Sequence, residues 1–429
     1  MIYMSGFGNT FETESIPGAL PKGQNSPQIC PFNLYAEQLS GSPFSAPNNV
    51  NERSWLYRLR PSVKHSMNYT KINKKNWKTA PHQGEHNLPI GQYRWNPFLE
   101  EEPCEFIDGV KTITVSGDVN VHNGMASNIY IFNKSMKNTV FTNADAEMLF
   151  IPYSGSICLF TEMGKLRIKP GQIAVLPRGI SVKISTDDEI SKGYLCENYG
   201  SKFNISEKGI IGANCLANPR DFKIPVAAYE ELENNHSSIL KWCGSFYKTE
   251  IKHSPLDVVA WHGNYTPYLY NLNNFSPIGS TNFDHPDPSI YSVLTSKSET
   301  LGTSNIDFIV FPERWSVAEN TFRPPWYHKN IMSEFMGLIY GEYDARPNGF
   351  FPGGISLHNM MLPHGPDYET FQKASNEDLK PYKFENSLAF MFETRYPQHV
   401  TKFASVSNGL QKNYIDCWRD IEKNFDVKE

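Results

Sequence analysis

Twelve histidines are spread unevenly over the 429 residues, and seven of them follow residue 250: His253, His262, His285, His328, His358, His364 and His399. His328 comes with a carboxylate at a separation suited to a metal. In Arg323-Pro-Pro-Trp-Tyr-His328-Lys-Asn330-Ile-Met-Ser-Glu334-Phe-Met-Gly-Leu-Ile-Tyr-Gly341, six positions separate His328 from Glu334. On a strand an even separation puts both side chains on one face. A further histidine follows Phe351-Pro-Gly-Gly, as either His358 or His364. Two imidazoles and one carboxylate form the facial triad of non-haem Fe(II) oxygenases. On an octahedral ion such a triad leaves three neighbouring positions open, enough for a two-point substrate and O2. One glutamate against Fe(II) leaves the site positive, which favours an anionic substrate.

The same segment resembles the cupin barrel motif, in which His-x-His is followed by Glu and then Gly. His328, Glu334 and Gly341 match it, while Asn330 stands where the second histidine would be. That exchange removes one ligand and opens the third position. Counted from Pro352-Gly-Gly354, the cupin spacing expects its last histidine at position 357, which is Leu357. Spacing therefore favours His358 over His364. The N-terminal half carries a shadow of the pattern from Gly171 to Pro177-Arg-Gly179, but its histidine position is Val182. Valine holds no metal, so this half is expected to be scaffold.

Other arrangements carry less. His285 lies between Asp284 and Asp287 in Phe283-Asp-His-Pro-Asp-Pro-Ser-Ile290. A carboxylate there could orient the ring for general base work, or the segment could be a turn of the kind Asp-Pro favours. His82-Gln-Gly-Glu-His86 has a histidine pair four apart, but Pro81 and Gly84 argue against the helix that would align it. Gly6-Phe-Gly8 lacks a third glycine and a preceding strand, so no dinucleotide site is expected.

These residues need a scaffold, and the sequence points to a mainly β one. Between 110 and 184 the chain reads as short apolar pieces: Val110-Lys-Thr-Ile-Thr-Val, Asn128-Ile-Tyr-Ile-Phe, Leu149-Phe-Ile, Ile157-Cys-Leu-Phe, Leu166-Arg-Ile, Ile173-Ala-Val-Leu and Val182-Lys-Ile. Gly, Asn, Asp or Pro bounds them, the spacing of an antiparallel sandwich or barrel. Residues 1–60 read as an ordered arm. A stretch rich in Asn, Pro, Tyr and Ser over 264–288 suggests a junction near 275, giving an N-terminal mainly β domain (1–275) and a C-terminal catalytic one (276–429). Leu410, Tyr414, Trp418, Ile421 and Phe425 recur at steps of three and four, which predicts a C-terminal helix. The formal charge of −5, without a basic run, argues against nucleic-acid partners. An aromatic content of 13% argues for a packed core rather than disorder. No apolar run approaches a membrane span. The first 21 residues hold no Lys or Arg, so no secretory leader is expected. Seven cysteines without a Cys-x-x-Cys pair suit reduced thiols in the cytoplasm.

The match then widens beyond the metal motif. Ser5-Gly-Phe-Gly-Asn-Thr-Phe11, Pro17-Gly-Ala-Leu-Pro-Lys-Gly-Gln-Asn-Ser-Pro-Gln28 and Tyr35-Ala-Glu-Gln-Leu-Ser-Gly41 open it. Arg53-Ser-Trp-Leu-Tyr-Arg58, Phe283-Asp-His-Pro-Asp-Pro-Ser289, Phe322-Arg-Pro-Pro325 and Pro363-His-Gly-Pro366 follow. In order and spacing these resemble the homogentisate 1,2-dioxygenase family. The resemblance implies a β-sandwich-like N-terminal domain and a C-terminal cupin-like jelly-roll barrel, in a hexamer built as a dimer of trimers. It implies Fe(II), with homogentisate and O2 converted to 4-maleylacetoacetate in tyrosine and phenylalanine breakdown. Residue by residue it implies His328, Glu334 and His364 as iron ligands, thereby choosing His364 where spacing preferred His358. It implies His285 as the base, Tyr343 and His364 against the substrate, and His358 just behind the ligands. A related acid such as gentisate, shorter by one methylene, is the alternative substrate, and a methylene is worth only about 1–3 kcal/mol of discrimination.

Overall fold

Apolar runs of the C-terminal half become strands covered on both sides. Leu388–Thr394 and Ser333–Tyr340 pair with each other, and every residue of the first is buried. Unbroken apolar sequence, rather than alternation, is what such a position selects. The computed structural model describes residues 1–65, 68–81, 88, 90–99, 102–208, 212, 214–278, 291–343 and 348–427. His82, His86 and His285 lie outside the described residues. Among the described ones, no helix is long and apolar enough to cross a membrane.

The C-terminal sheet runs in the order Phe203–Ile205, Tyr291–Lys297, Ser304–Phe311, Leu388–Thr394, Ser333–Tyr340, Ile355–His358 and Tyr93–Trp95. All of its pairings are antiparallel. Two glycines are required by close approach. A Cβ on Gly337 would stand 2.3 Å from Phe390 Cε1, and one on Gly341 would stand 2.0 Å from the Asn386 carbonyl oxygen. Gly341 also adopts φ +79°, which a side chain resists. The glycine of the metal motif thus ends its strand for a stated steric reason.

The N-terminal half builds two larger sheets. One has nine strands, centred on Glu147–Ser154 between Gln172–Leu176 and Ser191–Asn198. The other joins Gly164–Ile168, Ile157–Thr161, Ser181–Thr186 and Thr139–Asn143 to His236–Trp242, Ser245–Ile251 and Thr70–Ile72. Each short apolar piece read between 110 and 184 lies in one of these strands. Val182 is fully buried in the second sheet, opposite Phe141 and Thr161. The arm is built in as well. Phe11–Glu14, Tyr35–Ser40 and Arg53–Arg58 complete a four-stranded sheet with Val258–Gly263. Arg58 is buried there against Glu37, Glu162 and Asp257 at 2.7, 3.1 and 2.9 Å, the partners that a buried charge needs.

The two halves interlock. Tyr93–Trp95 and Phe203–Ile205 form the edges of the C-terminal sheet, and His399–Val400 pairs with Val110–Asp118 in the nine-stranded one. The Tyr194 hydroxyl lies 3.0 and 2.8 Å from the carbonyls of Leu338 and Gly354, and one apolar cluster runs through both halves. The chain adopts the mainly β class expected from its sequence.

The C-terminal helix is a correction. Tyr414–Trp418 is a short 3-10 helix without a side-chain cap, and residues 419–427 are not helical. The apolar stripe dissolves because its members have separate anchors. Leu410 bridges to Trp95, Tyr414 reaches His358, and Trp418 Nε1 donates to the Pro366 carbonyl at 3.0 Å. Ile421 and Phe425 stay exposed.

Candidate metal centre

Glu334 is the second residue of Ser333–Tyr340, and pairing on both sides fixes its neighbours. His358 stands opposite it on Ile355–His358, and Glu393 stands opposite on Leu388–Thr394. Residues directly opposite share a sheet face, so one carboxylate is set between an imidazole and a second carboxylate. His328 precedes the strand and is held by a two-hydrogen-bond antiparallel bridge to His364. The backbone N–H of each donates to the carbonyl of the other, at 2.9 and 3.1 Å.

The ligand atoms of His328, Glu334 and His364 all lie within 4.8 Å of one another. His364 Nε2 is 3.1 Å from Glu334 Oε2. Each of the two histidines is oriented by a backbone carbonyl two residues earlier. His328 Nδ1 donates to the Trp326 carbonyl at 2.6 Å, and His364 Nδ1 donates to the Leu362 carbonyl at 3.1 Å. Such a contact puts the proton on Nδ1 and leaves the Nε2 lone pair for a metal. Two imidazole nitrogens and one carboxylate oxygen suit a divalent first-row metal. Glu334 and His364 are buried, and His328 is half-buried. Among the described residues no other group of three such side chains converges in this way.

His358 lies close behind. Its Nδ1 is 3.7 Å from Glu334 Oε2, its ring stacks on His364 at 4.3 Å, and its Nε2 is 3.0 Å from the Tyr414 hydroxyl. Tyr343 is placed elsewhere. About 20 Å of strand separate Glu334 from Tyr340, and beyond it Tyr343 packs edge-on against Phe311 and Phe350.

Burial alone would raise the Glu334 carboxyl, but without a metal the facing imidazoles of His358 and His364 override it and hold the group far below the usual carboxylate range, a role an ion at His364 Nε2 would take over. Glu393 goes the other way. Burial pushes it up to about 7 against a hydrogen bond from Asn330, and the neighbouring charges of Glu334 and Asp307 add to the rise. Spacing set Asn330 at a ligand's place in the cupin pattern but gave no hint of Glu393 as a member of this cluster. The available signal was a lone glutamate following the apolar run Leu388-Ala-Phe-Met-Phe, since an acid buried in such a run needs a reason.

The rise at Glu393 has a measurable consequence. The folded chain keeps a proton that the unfolded chain releases near pH 4, so stability is complete below that value and is lost as pH climbs through 7. Moving from 4.5 to about 7 corresponds to about 3 kcal/mol. Glu393→Gln is therefore expected to raise the thermal midpoint of metal-free protein at pH 8 and to change it little at pH 5. An equal shift at both pH values would contradict this.

Comparison with known proteins follows the same lines. The family model described as "Homogentisate 1,2-dioxygenase N-terminal" matches residues 2–272, and the one described as "Homogentisate 1,2-dioxygenase C-terminal" matches residues 273–425. A protein of Rhizobium rhizogenes named "Homogentisate 1,2-dioxygenase" is 59% identical over 427 residues, 99% of this chain and 94% of the relative. One of the same name from Rhodopseudomonas palustris strain TIE-1 is 61% identical over 425 residues, covering 99% and 95%.

Proposed function

The chain belongs to the homogentisate 1,2-dioxygenase family, and from that premise we propose that it is an Fe(II) enzyme that opens the ring of homogentisate with O2. The observation that carries this reading is the convergence of His328, Glu334 and His364, with both imidazoles turned Nε2-inward. The product is 4-maleylacetoacetate, a step in tyrosine and phenylalanine breakdown. The bond between the ring carbon bearing the acetate arm and its hydroxylated neighbour breaks, and both oxygen atoms enter the product.

The three side chains hold the ion, and Fe(II) would supply there the electron that ground-state O2 needs before it reacts with a closed-shell ring. The protein's own residues do the rest. His328 and His364 are locked by the bridge between them and by their Nδ1 contacts, so both rings would meet an ion in fixed orientations. A divalent ion held by a single glutamate would leave residual positive charge there, which would favour a substrate carrying its carboxylate and one phenolic oxygen as anions. His285 takes the proton from that phenolic oxygen. His364 lies against the substrate, and His358 supports Glu334 from behind through the 3.7 Å contact.

Residues 1–275 act as the scaffold of this centre and 276–429 as its catalytic domain. The hexamer, a dimer of trimers, finds support in the exposed apolar side chains next to the ligands: Trp326, Tyr327, Ile331 and Met361. Large apolar side chains left exposed on one chain are of the kind a subunit interface covers. The family resemblance also gives Tyr343 a contact with substrate, although within this chain it stands at the far end of the strand from Glu334 and packs on Phe311 and Phe350. Free cysteines throughout suit a cytoplasmic site of action.

Metal restoration tests the reading. Protein stripped by a chelator should regain ring-opening activity with Fe(II) at one ion per chain, and not with Zn(II). Activity that survives stripping, or returns equally with Zn(II) under anaerobic conditions, would mark a hydrolase instead.

A further inference from the structure

Asn330 occupies the position at which the cupin motif has its second histidine, and its side chain is engaged away from the ligand nitrogens. Its Nδ2 donates to Glu334 Oε1 at 3.2 Å and also to Glu393 Oε1. Its Oδ1 accepts the backbone N–H of Met332 at 3.1 Å, which fixes the amide in this orientation rather than its flipped one. The two oxygens of Glu334 are therefore held differently. Oε2 faces the imidazoles of His364 and His358, at 3.1 and 3.7 Å, and Oε1 faces the amide.

The sheet explains why an amide is needed. Glu334, Glu393 and Asp307 stand directly opposite one another on three neighbouring strands. Like charges in that relation repel. Lys208 pairs with Asp307 at one end of the row, and the imidazoles of His364 and His358 face Glu334 at the other. Between Glu334 and Glu393 stands Asn330, whose single amide nitrogen donates to both.

We propose that Asn330 is a positioning residue of the metal centre: its amide pins Glu334 Oε1, so that Oε2 is presented to the ion, and it keeps open the coordination position that a histidine at 330 would fill. This rests on the proposed metal site. An imidazole at 330 would be a fourth protein ligand and leave two vacancies on an octahedral ion, whereas a two-point substrate and O2 require three. Partners that orient a ligand are commonly worth roughly 10–100-fold in metal affinity.

Co(II) serves as the probe, because its visible absorption reports coordination without turnover. Metal-free full-length protein is titrated with Co(II), and homogentisate is then added under anaerobic conditions. Asn330→Leu keeps the branched shape and removes the N–H groups. It is expected to bind Co(II) roughly 10–100-fold more weakly, with altered absorption bands. Asn330→His is expected to bind Co(II) at least as tightly as wild type, yet to take homogentisate weaker by about tenfold or more. Unchanged affinity and bands in Asn330→Leu would overturn the proposal, as would wild-type homogentisate binding by Asn330→His. Should neither variant fold, a structure of the metal-loaded wild type decides: the amide within hydrogen-bond distance of Glu334 supports the proposal, and an amide turned away overturns it. Failure of the underlying metal site looks different. In that case wild-type protein would bind no Co(II), or Glu334→Ala would bind it equally well.

Discussion

Glu334→Ala and His364→Ala are expected to abolish metal binding and oxygen uptake together, while His358→Ala keeps the metal and loses only part of the activity. The contrast follows from what each side chain touches. Glu334 and His364 belong to the group whose ligand atoms lie within 4.8 Å of one another, and with His328 they make up the whole of that group among the described residues. Removing one of three leaves too few to hold an ion against water, so the loss exceeds the roughly 10–100-fold that an outer partner costs. His358 is an outer partner on this geometry, stacked on His364 with its Nε2 on Tyr414. Metal content per chain after desalting, read beside oxygen uptake, separates the two classes. Essential His358 with dispensable His364 would reverse the ligand assignment.

His285→Ala is expected to retain the metal and to slow turnover by roughly 10²–10⁴-fold, the usual contribution of a positioned general base. The homogentisate ring must lose a phenolic proton before it can donate electron density, and the three ligands have no spare basic nitrogen, because each Nδ1 is tied to a carbonyl. Raising the pH should recover part of the lost rate, since solvent then removes the proton unaided. Near-normal turnover would reduce Asp284-His-Pro-Asp287 to a turn, the other reading that its sequence allows.

The sequence disclosed the chemistry better than it disclosed the scaffold. Glu334 and Gly341 belong to one strand and the turn that ends it, but His328 precedes that strand by several non-strand residues, so it is the bridge to His364 and not a shared strand face that places it. The choice between His358 and His364 depends on the same backbone bridge across 36 residues, and no local spacing encodes such a pairing. The same limit hid the edge strands Tyr93–Trp95 and Phe203–Ile205, which join a sheet formed mostly by residues far away in sequence. Glu393 was written in the sequence as an acid in an apolar run, yet its partner became visible only with the register that sets it opposite Glu334. The C-terminal stripe misled for a related reason: periodicity reports that side chains are anchored, but here the anchors belong to three separate places.

Oxygen consumption by chain reconstituted anaerobically with Fe(II) tests the central claim most directly. With homogentisate the account requires one O2 taken up per substrate and a ring-opened product, with gentisate turned over far more slowly. Uptake with gentisate alone would keep the metal centre and change the substrate. No uptake with either acid, despite bound iron, would contradict the account.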